Sequence, residues 1–362
     1  MKHCKIIALL LAILMVAALF GGCAKDQKPN ESQQPVNNEP VENEPQKGDG
    51  TQGEEPPAEE TDKALKIAVV FNDSGLGDGS FNDNTYVGLQ RAKDELGITF
   101  DYSEPKSQSD YESLLMSYAQ TEEYDLILGI GFSIGSSMEK VAEIFPEQKF
   151  MLLDTSVALD NVASFEYRSE EAAYMAGVVA GLATLDTSIP NINDKNIIGF
   201  VGAMDIPLIQ VFKDGFEEGA KSVNPDVKVL SSYVGDWSDP ATAKELAVSQ
   251  YQQGADIIYQ VASLGGLGVI EGASSNNFYC IGQDDNQNGL APDNVILSVL
   301  KRLDNTVYSV IKDLQDGVFH GGSNIWGLKE DAVDITYEGS NVAIPDSIKE
   351  AAETARQDIL NK

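Results

Sequence analysis

The feature that most constrains this sequence is a unit that recurs from Lys66 onward: an apolar strand, a polar loop and an amphipathic helix. The first copy, KIAVVFNDSGLGDGSFND, covers residues 66–83 and has three glycines in its loop. Its strand is apolar on both faces, which is typical of a central parallel strand covered by helices. The loop opens a helix at Phe81, for which Ser80 or Asn82 is the expected N-cap. Because the unit recurs without a hairpin signal, we expect right-handed crossovers and parallel sheets.

The alternation of strands and helices runs twice along the chain. In the first run, we predict strands over 66–71, 99–102, 126–129 and 149–154, and helices over 81–96, 110–122 and 136–145. In the second run, the predicted strands are 197–201, 227–233, 257–261 and 278–282, and the helices are 169–185, 206–222, 240–253 and 268–275. A helix over 303–314 and a short strand near 324–327 follow.

The part of the chain that carries this pattern, roughly 300 residues, is longer than one hydrophobic core usually supports. We therefore predict an α/β protein with two Rossmann-like lobes, each built on a parallel sheet, and a hinge that the chain crosses near residues 163, 298 and 321. The predicted boundaries are 65–163 with 298–320 for lobe 1, 164–297 with 321–345 for lobe 2, and 346–362 for a C-terminal helix.

The first 22 residues have the features of an export signal. Basic residues near the start precede an apolar core over 6–20 and two glycines at 21–22. Cys23 follows directly, an arrangement that resembles the lipobox of bacterial lipoproteins and implies cleavage before Cys23 and lipidation of this residue. An uncleaved membrane helix is the alternative, but the apolar core is short for a full span.

Residues 23–64 form the predicted lipidated cysteine and an acidic tether. The segment after Cys23 is rich in Glu, Gln, Asn and Pro and has almost no large apolar residue. It cannot bury enough surface to offset the entropy of ordering. Because acidic, proline-bearing segments stay extended, the tether should hold the folded part away from a membrane surface.

The composition disfavours several classes of function. The formal net charge of −32 argues against nucleic-acid binding, which requires a basic face to neutralise phosphates. Beyond the predicted signal and anchor, Cys280 is the only cysteine, so no disulfide or cysteine metal site within one chain is expected. His320 is the only histidine of the predicted folded part, which disfavours a histidine triad or a zinc site. We expect no cofactor.

Two sequence motifs suggest other sites and fit them poorly. The glycines at 75 and 77 followed by Ser80, with Asp101 at the end of the next strand, faintly resemble a dinucleotide fingerprint, but serine occupies the third glycine position. Residues 284–289 match the first half of a calcium loop. Its twelfth position is Val295, where a bidentate glutamate is needed.

Polar residues collect in the loops that follow the predicted strands. Parallel strands place their ligand sites at their carboxyl ends. The loops at these ends are 72–82, 131–133 and 154–156 in the first lobe, and 202–207, 235–239, 263–266 and 284–288 in the second. They contain glycines, carboxylates and aromatic rings but few positive charges. This inventory favours a small, neutral, polar ligand.

Two pairs within these loops have a binding and a structural interpretation. Asp284 and Lys301 could accept from and donate to the same diol of a ligand, or they could form a salt bridge between the lobes. Phe81 and Trp237 could stack on a planar ring between them, or each could pack into its own lobe. Composition and spacing leave both choices open.

Several motifs together carry a resemblance to a known family. They are 73–83, 129–132, the end of a strand at Asp154, 165–177, 199–207, 236–240, 254–256, 282–287 and 298–301. With the lipobox, they resemble the basic membrane protein (BMP) family of lipoproteins, the family of the purine nucleoside receptors, over residues 66–325. This family is similar to type I periplasmic binding proteins. The resemblance implies the substrate-binding component of an ABC importer.

The resemblance also implies roles for individual residues when they are carried over by position. Phe81 and Trp237 would clamp the base of a nucleoside. Asp73 and Asn82 would form hydrogen bonds to the edge of the base.

The ribose would be held by Asp284 together with Lys301. The remaining predicted site residues, in the other carboxyl-end loops, are Phe132, Asp154 and Gly265.

The hypothesis is a monomeric, lipid-anchored receptor that faces away from the cytoplasm at the cell membrane, closes on a purine nucleoside and delivers it to an ABC permease with its ATPase subunits. One alternative is a receptor of the same fold for an amino acid, a sugar or a signalling molecule. An exported α/β enzyme and a structural surface lipoprotein are alternatives from other classes.

Overall fold

The computed structural model describes residues 64–362. The predicted signal, the lipidation of Cys23 and the tether over 24–63 lie outside the described residues. Within the described range, no helix combines the length and the apolar character that crossing a membrane requires.

Twelve strands and nine α-helices alternate along residues 64–362. The strands are β1 (Lys66–Val70), β2 (Thr99–Ser103), β3 (Leu126–Ile130), β4 (Phe150–Leu153), β5 (Val162–Tyr167), β6 (Ile197–Gly202), β7 (Lys228–Tyr233), β8 (Ile257–Val261), β9 (Tyr279–Asp284), β10 (Val295–Lys301), β11 (Gly322–Trp326) and β12 (Val333–Thr336). The helices are α1 (Phe81–Leu96), α2 (Tyr111–Ala119), α3 (Gly135–Ile144), α4 (Ser169–Ala183), α5 (Pro207–Val223), α6 (Pro240–Gln252), α7 (Gly266–Asn276), α8 (Leu303–Gln315) and α9 (Asp346–Leu360).

The strands form two six-stranded sheets. The first has the order β11-β5-β4-β3-β1-β2, and the second has the order β12-β10-β9-β8-β6-β7. All pairings are parallel except that of β10 with β12, which is antiparallel. The α/β architecture with two lobes and parallel sheets is thereby confirmed.

Each sheet is covered by helices on both faces. In β1, Ile67 and Val69 belong to one buried apolar cluster, and Ala68 and Val70 belong to another. Successive side chains of a strand point to opposite faces, so both faces of this strand pack against helices. This explains why the sequence of β1 is apolar throughout rather than alternating.

The chain passes between the two sheets three times, at Arg168, Arg302 and Gly327. Arg168 lies between β5 of the first sheet and α4, and Arg302 lies between β10 of the second sheet and α8. The amide N–H of Arg168 donates to the carbonyl of Trp326, and that of Arg302 donates to the carbonyl of Ala332, both at 2.8 Å. Neighbouring crossings are thus tied together by backbone hydrogen bonds.

These crossings differ from the predicted positions near 163, 298 and 321. Strands β5 and β10 continue through the first two predicted points and end only at the hinge. Strand β11 was expected in lobe 2, within 321–345, but it pairs with β5 in the first sheet. Its partner is set by long-range pairing, and a short strand with half-exposed side chains carries no local signal of that choice.

Helices α4 and α5 approach each other through glycine. A Cβ atom on Gly219 would lie 2.0 Å from the carbonyl oxygen of Tyr174, and one on Gly177 would lie 2.1 Å from the carbonyl oxygen of Phe216. Both distances are far shorter than van der Waals contact. The two backbones can therefore be this close only because these positions lack side chains.

Replacing Gly219 by alanine should destabilise the protein by about 2 kcal/mol or more, because the added methyl forces the helices apart. This cost should exceed the gain of up to about 1 kcal/mol in helix propensity. Urea unfolding of the variant measures the change. Gly289→Ala is the matched control, since a Cβ there meets no atom within 4 Å. Equal stability of the two variants would contradict this account of the α4–α5 contact.

Candidate ligand-binding cleft

A cavity lies between the carboxyl-end loops of the two sheets. Counted together with the open solvent at its mouth, its volume is about 640 Å³. Its lining comes from both lobes: Asn72, Asp73, Ser74, Phe81, Gly131, Phe132, Ser133, Asp154, Leu208, Ile209, Phe212, Trp237, Val261, Ser263, Asp284 and Lys301.

Most of the predicted site residues meet at this cavity. Those that line it are Asp73, Phe81, Phe132, Asp154, Trp237, Asp284 and Lys301. The other two, Asn82 and Gly265, lie behind its surface. The rule that the carboxyl ends of parallel strands share one edge therefore identifies loops that line this cavity but does not tell which of their side chains face it.

Asn82 supports the loop after β1 and does not line the cavity. Its side chain is buried, and its Nδ2 donates to Asn72 Oδ1 and to the carbonyl of Gly75, each at 2.8 Å. With both N–H groups used, Asn82 holds the loop that carries Asp73. The predicted contact between Asn82 and a ligand does not fit this geometry.

Gly265 supports the loop that carries Trp237. Its amide donates to the carbonyl of Trp237 at 3.0 Å, and a Cβ atom there would be 3.7 Å from the same oxygen. Gly265 therefore acts on the cavity through the position of Trp237.

Lys301 and Asp154 form a buried ion pair between the two lobes. Lys301 Nζ lies 2.7 Å from Asp154 Oδ1 and 2.9 Å from Oδ2, and the two residues are 2% and 9% exposed. Burial raises the pKa of the Asp154 carboxyl, and the ammonium opposes this shift. An ammonium has three donors, so these two bonds leave one N–H for another partner. Thus the salt bridge between lobes exists, but the partner of Lys301 is Asp154 and not Asp284.

Three aromatic rings surround the ammonium of Lys301. Its Nζ lies 5.5 Å from the ring centroid of Phe81, 5.2 Å from that of Tyr167 and 5.1 Å from that of Phe212. These distances are within the range for cation–π attraction, which is strongest where the charge is removed from water. The rings therefore add cation–π contacts to the ion pair that Lys301 forms with Asp154.

Asp284 occupies a position in the second sheet that resembles that of Asp154 in the first. Both lie at the carboxyl end of a strand in the left-handed conformation, with φ of 70° and 69°. Asp284 Oδ2 accepts from Ser80 Oγ at 2.6 Å, and Oδ1 accepts from Gln283 Nε2 at 2.7 Å. Because each carboxylate oxygen can accept two hydrogen bonds, both oxygens keep capacity for a ligand.

A buried network behind Asp284 fixes its direction. The side-chain oxygen of Gln283 accepts from the hydroxyl of Tyr259, and the backbone N–H of Gln283 donates to Gln287 Oε1 at 3.0 Å. Gln287 Nε2 in turn donates to the carbonyl of Gly79 in the opposite lobe at 2.8 Å. Sequence reasoning missed these glutamines, because a polar residue after a strand gives no signal that it will be buried.

Ser80 occupies the N-cap position of α1, as expected, but its side chain makes no capping bond, and the carboxylate of Asp78 caps the helix instead. This carboxylate accepts from the amides of Ser80 at 3.0 Å, Asn82 at 2.9 Å and Asp83 at 3.2 Å. The hydroxyl of Ser80 is thereby left for Asp284. Burial raises the pKa of Asp78 to about 6, because desolvation outweighs the three N–H donors.

The raised pKa of Asp78 predicts a pH dependence of stability. The folded state keeps its proton at a higher pH than the unfolded state, so stability should fall as the pH rises from 3.8, the ordinary value, to about 6. Relative to Asp78→Asn, the wild type should lose about 3 kcal/mol over this interval. Urea unfolding of both proteins at each pH measures it. A constant difference between them would contradict the raised pKa.

The aromatic lining includes residues that were predicted and one that was not. Phe81 is 6% exposed, and Phe132 is 51% exposed. Phe81 and Trp237 both line the same cavity, as the stacking interpretation requires. Phe212 was missed, because an aromatic residue on the apolar face of an amphipathic helix reads as ordinary core.

The charge of the lining is negative. Among residues 64–362, it carries the carboxylates of Asp73, Asp154 and Asp284 and the single ammonium of Lys301. Asp73 accepts a hydrogen bond from the hydroxyl of Tyr111 at 2.9 Å. A lining of this sign suits an uncharged ligand with hydroxyl groups and repels a phosphate.

Comparison with known proteins agrees with this geometry. Residues 65–362 match the family described as ABC transporter substrate-binding protein PnrA-like. A Lactococcus lactis protein named ABC transporter nucleoside-binding protein BmpA is 33% identical over 82% of this chain and 87% of its own length. An uncharacterized lipoprotein of Pyrococcus abyssi is 36% identical over 75% of this chain and 69% of its own length.

The similar solved structures have the same architecture. An ABC transporter solute-binding protein from Aeropyrum pernix K1 is 32% identical, with a TM-score of 0.70 over 81% of this chain and 86% of its own. AraP, an arabinose-binding protein from Geobacillus stearothermophilus, is 13% identical with a TM-score of 0.56 and shares the fold alone. The chain therefore belongs to the Bmp family of ABC transporter substrate-binding proteins.

Proposed function

We propose that this protein binds a purine nucleoside between its two lobes and delivers it to an ABC permease. The observation that carries the proposal is that one cavity combines rings from opposite lobes, Phe81 and Trp237, with the polar groups of Asp284 and of the Lys301–Asp154 pair. The rings suit a flat base, and the acids and the ammonium suit a ribose diol. The name of the Lactococcus relative supports the same ligand class.

The negative charge of the cavity lining favours an uncharged nucleoside over a nucleotide as the ligand. Lys301 is the only cationic side chain that lines the cavity among residues 64–362, and Asp154 already neutralises it. A phosphate on the ribose would therefore meet Asp73 and Asp284 without a compensating charge. A nucleotide should bind more weakly than its nucleoside.

Closure of the lobes is the proposed working step. Contacts from one lobe to the other surround the cavity: Ser80 with Asp284, Gln287 with Gly79, and Lys301 with Asp154. A ligand that touches both lobes favours the state in which these contacts are made. Ligand binding thus stabilises a closed conformation that a permease can recognise.

Lipidation at Cys23 would anchor the receptor outside the cytoplasm. The sequence of the first 23 residues supports this assignment, and relatives named as lipoproteins agree with it. The acidic tether would leave the lobes free to open and to reach the permease.

Calorimetric titration of the purified protein with inosine, guanosine, adenosine, uridine and guanosine monophosphate tests the ligand. We expect saturable heat with purine nucleosides and at least about tenfold weaker binding of the monophosphate, which corresponds to about 1.4 kcal/mol. Absence of heat with every nucleoside would overturn the ligand class while leaving the family assignment in place.

A further inference from the structure

The hydroxyl of Ser263 is a buried polar group in the cavity wall without a protein partner. Ser263 is 9% exposed and lines the cavity, and its Oγ has no hydrogen-bond partner among the described residues. Three other described side chains have a buried atom of this kind, but Gln250, Tyr337 and Arg356 do not line the cavity. Buried hydroxyls are nearly always hydrogen-bonded, so this exception requires an explanation.

The backbone conformation of Ser263 is a second feature that disfavours a serine at this position. Its φ is 50°, in the left-handed region that disfavours residues with a side chain. Glycine would fit this backbone better and would leave no unpaired hydroxyl. A serine here therefore costs stability twice, through its conformation and through its desolvated oxygen.

Two neighbouring backbone amides in the loop already have partners. The amide of Gly265 donates to the carbonyl of Trp237 at 3.0 Å, and the amide of Ala262 donates to Gln260 Oε1 at 3.1 Å. Ser263 follows β8 by two residues, and β8 pairs with β9, which ends at Asp284. The hydroxyl thus belongs to the second lobe, in the loop after the strand next to that of Asp284.

We infer that Ser263 Oγ forms a hydrogen bond with a ribose hydroxyl of the bound nucleoside, an inference that rests on the proposed function. A hydroxyl can both donate and accept, so it can pair with a sugar hydroxyl in either direction. The ligand would supply the partner that the protein lacks. Ser263 would then contribute to the recognition of the sugar together with Asp284.

The test compares Ser263→Ala and Ser263→Gly with the wild type, using inosine and its 2′-, 3′- and 5′-deoxy analogues in calorimetry. Both variants should bind inosine about tenfold more weakly. For one of the deoxy analogues, the variants and the wild type should bind equally, since the partner is already absent. Ser263→Gly should also raise the melting temperature, which separates the binding effect from damage to the fold.

Ser133→Ala is the matched control. Its hydroxyl also lines the cavity, but it lies 3.2 Å from the hydroxyl of Tyr111 and is already paired. Loss of the Ser133 hydroxyl should weaken the binding of inosine and of all three analogues by one common factor. The inference is overturned if the Ser263 variants bind inosine like the wild type. It is also overturned if they bind inosine and every analogue more weakly by one common factor. Failure of the wild type to bind any nucleoside would overturn the proposed function and this inference with it.

Discussion

Replacing Asp284 by asparagine should weaken purine nucleoside binding about 100-fold or more, equivalent to about 2.7 kcal/mol, and leave the fold intact. Hydrogen bonds to a charged acceptor are the strongest ones available to a neutral diol. Asparagine tolerates the left-handed backbone at this position, where φ is 70°. Its amide nitrogen, however, would replace an oxygen that now accepts from Ser80 or Gln283. Calorimetry and thermal unfolding measure the two effects.

Asp331→Asn is the matched control for Asp284→Asn. Asp331 also has a left-handed backbone, with φ of 55°, but it is exposed and does not line the cavity. This variant should bind like the wild type. Unchanged affinity of Asp284→Asn would contradict the assignment of this carboxylate to the ribose.

Replacing Lys301 by methionine should destabilise the protein by about 3–5 kcal/mol and abolish binding, because it leaves the buried Asp154 carboxylate unpaired. The same change removes the ammonium from between the rings of Phe81, Tyr167 and Phe212. The double variant Asp154→Asn/Lys301→Met should regain most of the stability, since no charge is then left buried. It should not regain binding. Urea unfolding and calorimetry of the single and double variants provide the comparison.

An exposed ion pair provides the control for Lys301. Lys312 Nζ lies 3.0 Å from Asp316, and both side chains are about half exposed. Such pairs contribute little to stability, so Lys312→Met should behave like the wild type. Equal destabilisation by Lys301→Met and Lys312→Met would show that burial of the Asp154–Lys301 pair is unimportant.

Most of the regular elements of this fold could be predicted because local patterns determine them. Helix α1 was predicted over 81–96 and strand β8 over 257–261, the bounds that the structure has. Strands β5, β10 and β12 were not among the predicted strands, and the pairing of β11 was not predicted either, because contacts between segments far apart in sequence decide them. The hinge was therefore expected several residues too early at each crossing.

For the site, the sequence indicated the loops but not the directions of their side chains. Asp284 and Lys301 were expected to form the salt bridge between the lobes, if there was one. The structure pairs Lys301 with Asp154, and Asp284 with Ser80. That exchange depends on how the two lobes face each other, which no local pattern encodes. Asn82 is a separate case, because its carboxamide faces the interior of its own loop and depends on how that loop folds back on itself.

The central claim is that a purine ring lies against Trp237 between the lobes, and tryptophan fluorescence tests it most directly. The protein has two tryptophans, Trp237 in the cavity wall and Trp326 in β11 against Phe165. In the Trp326→Phe variant, inosine should quench the emission of Trp237 saturably, with the midpoint that calorimetry gives. In Trp237→Phe, the emission of Trp326, which does not line the cavity, should change much less. Binding by calorimetry without any change in Trp237 emission would contradict the account.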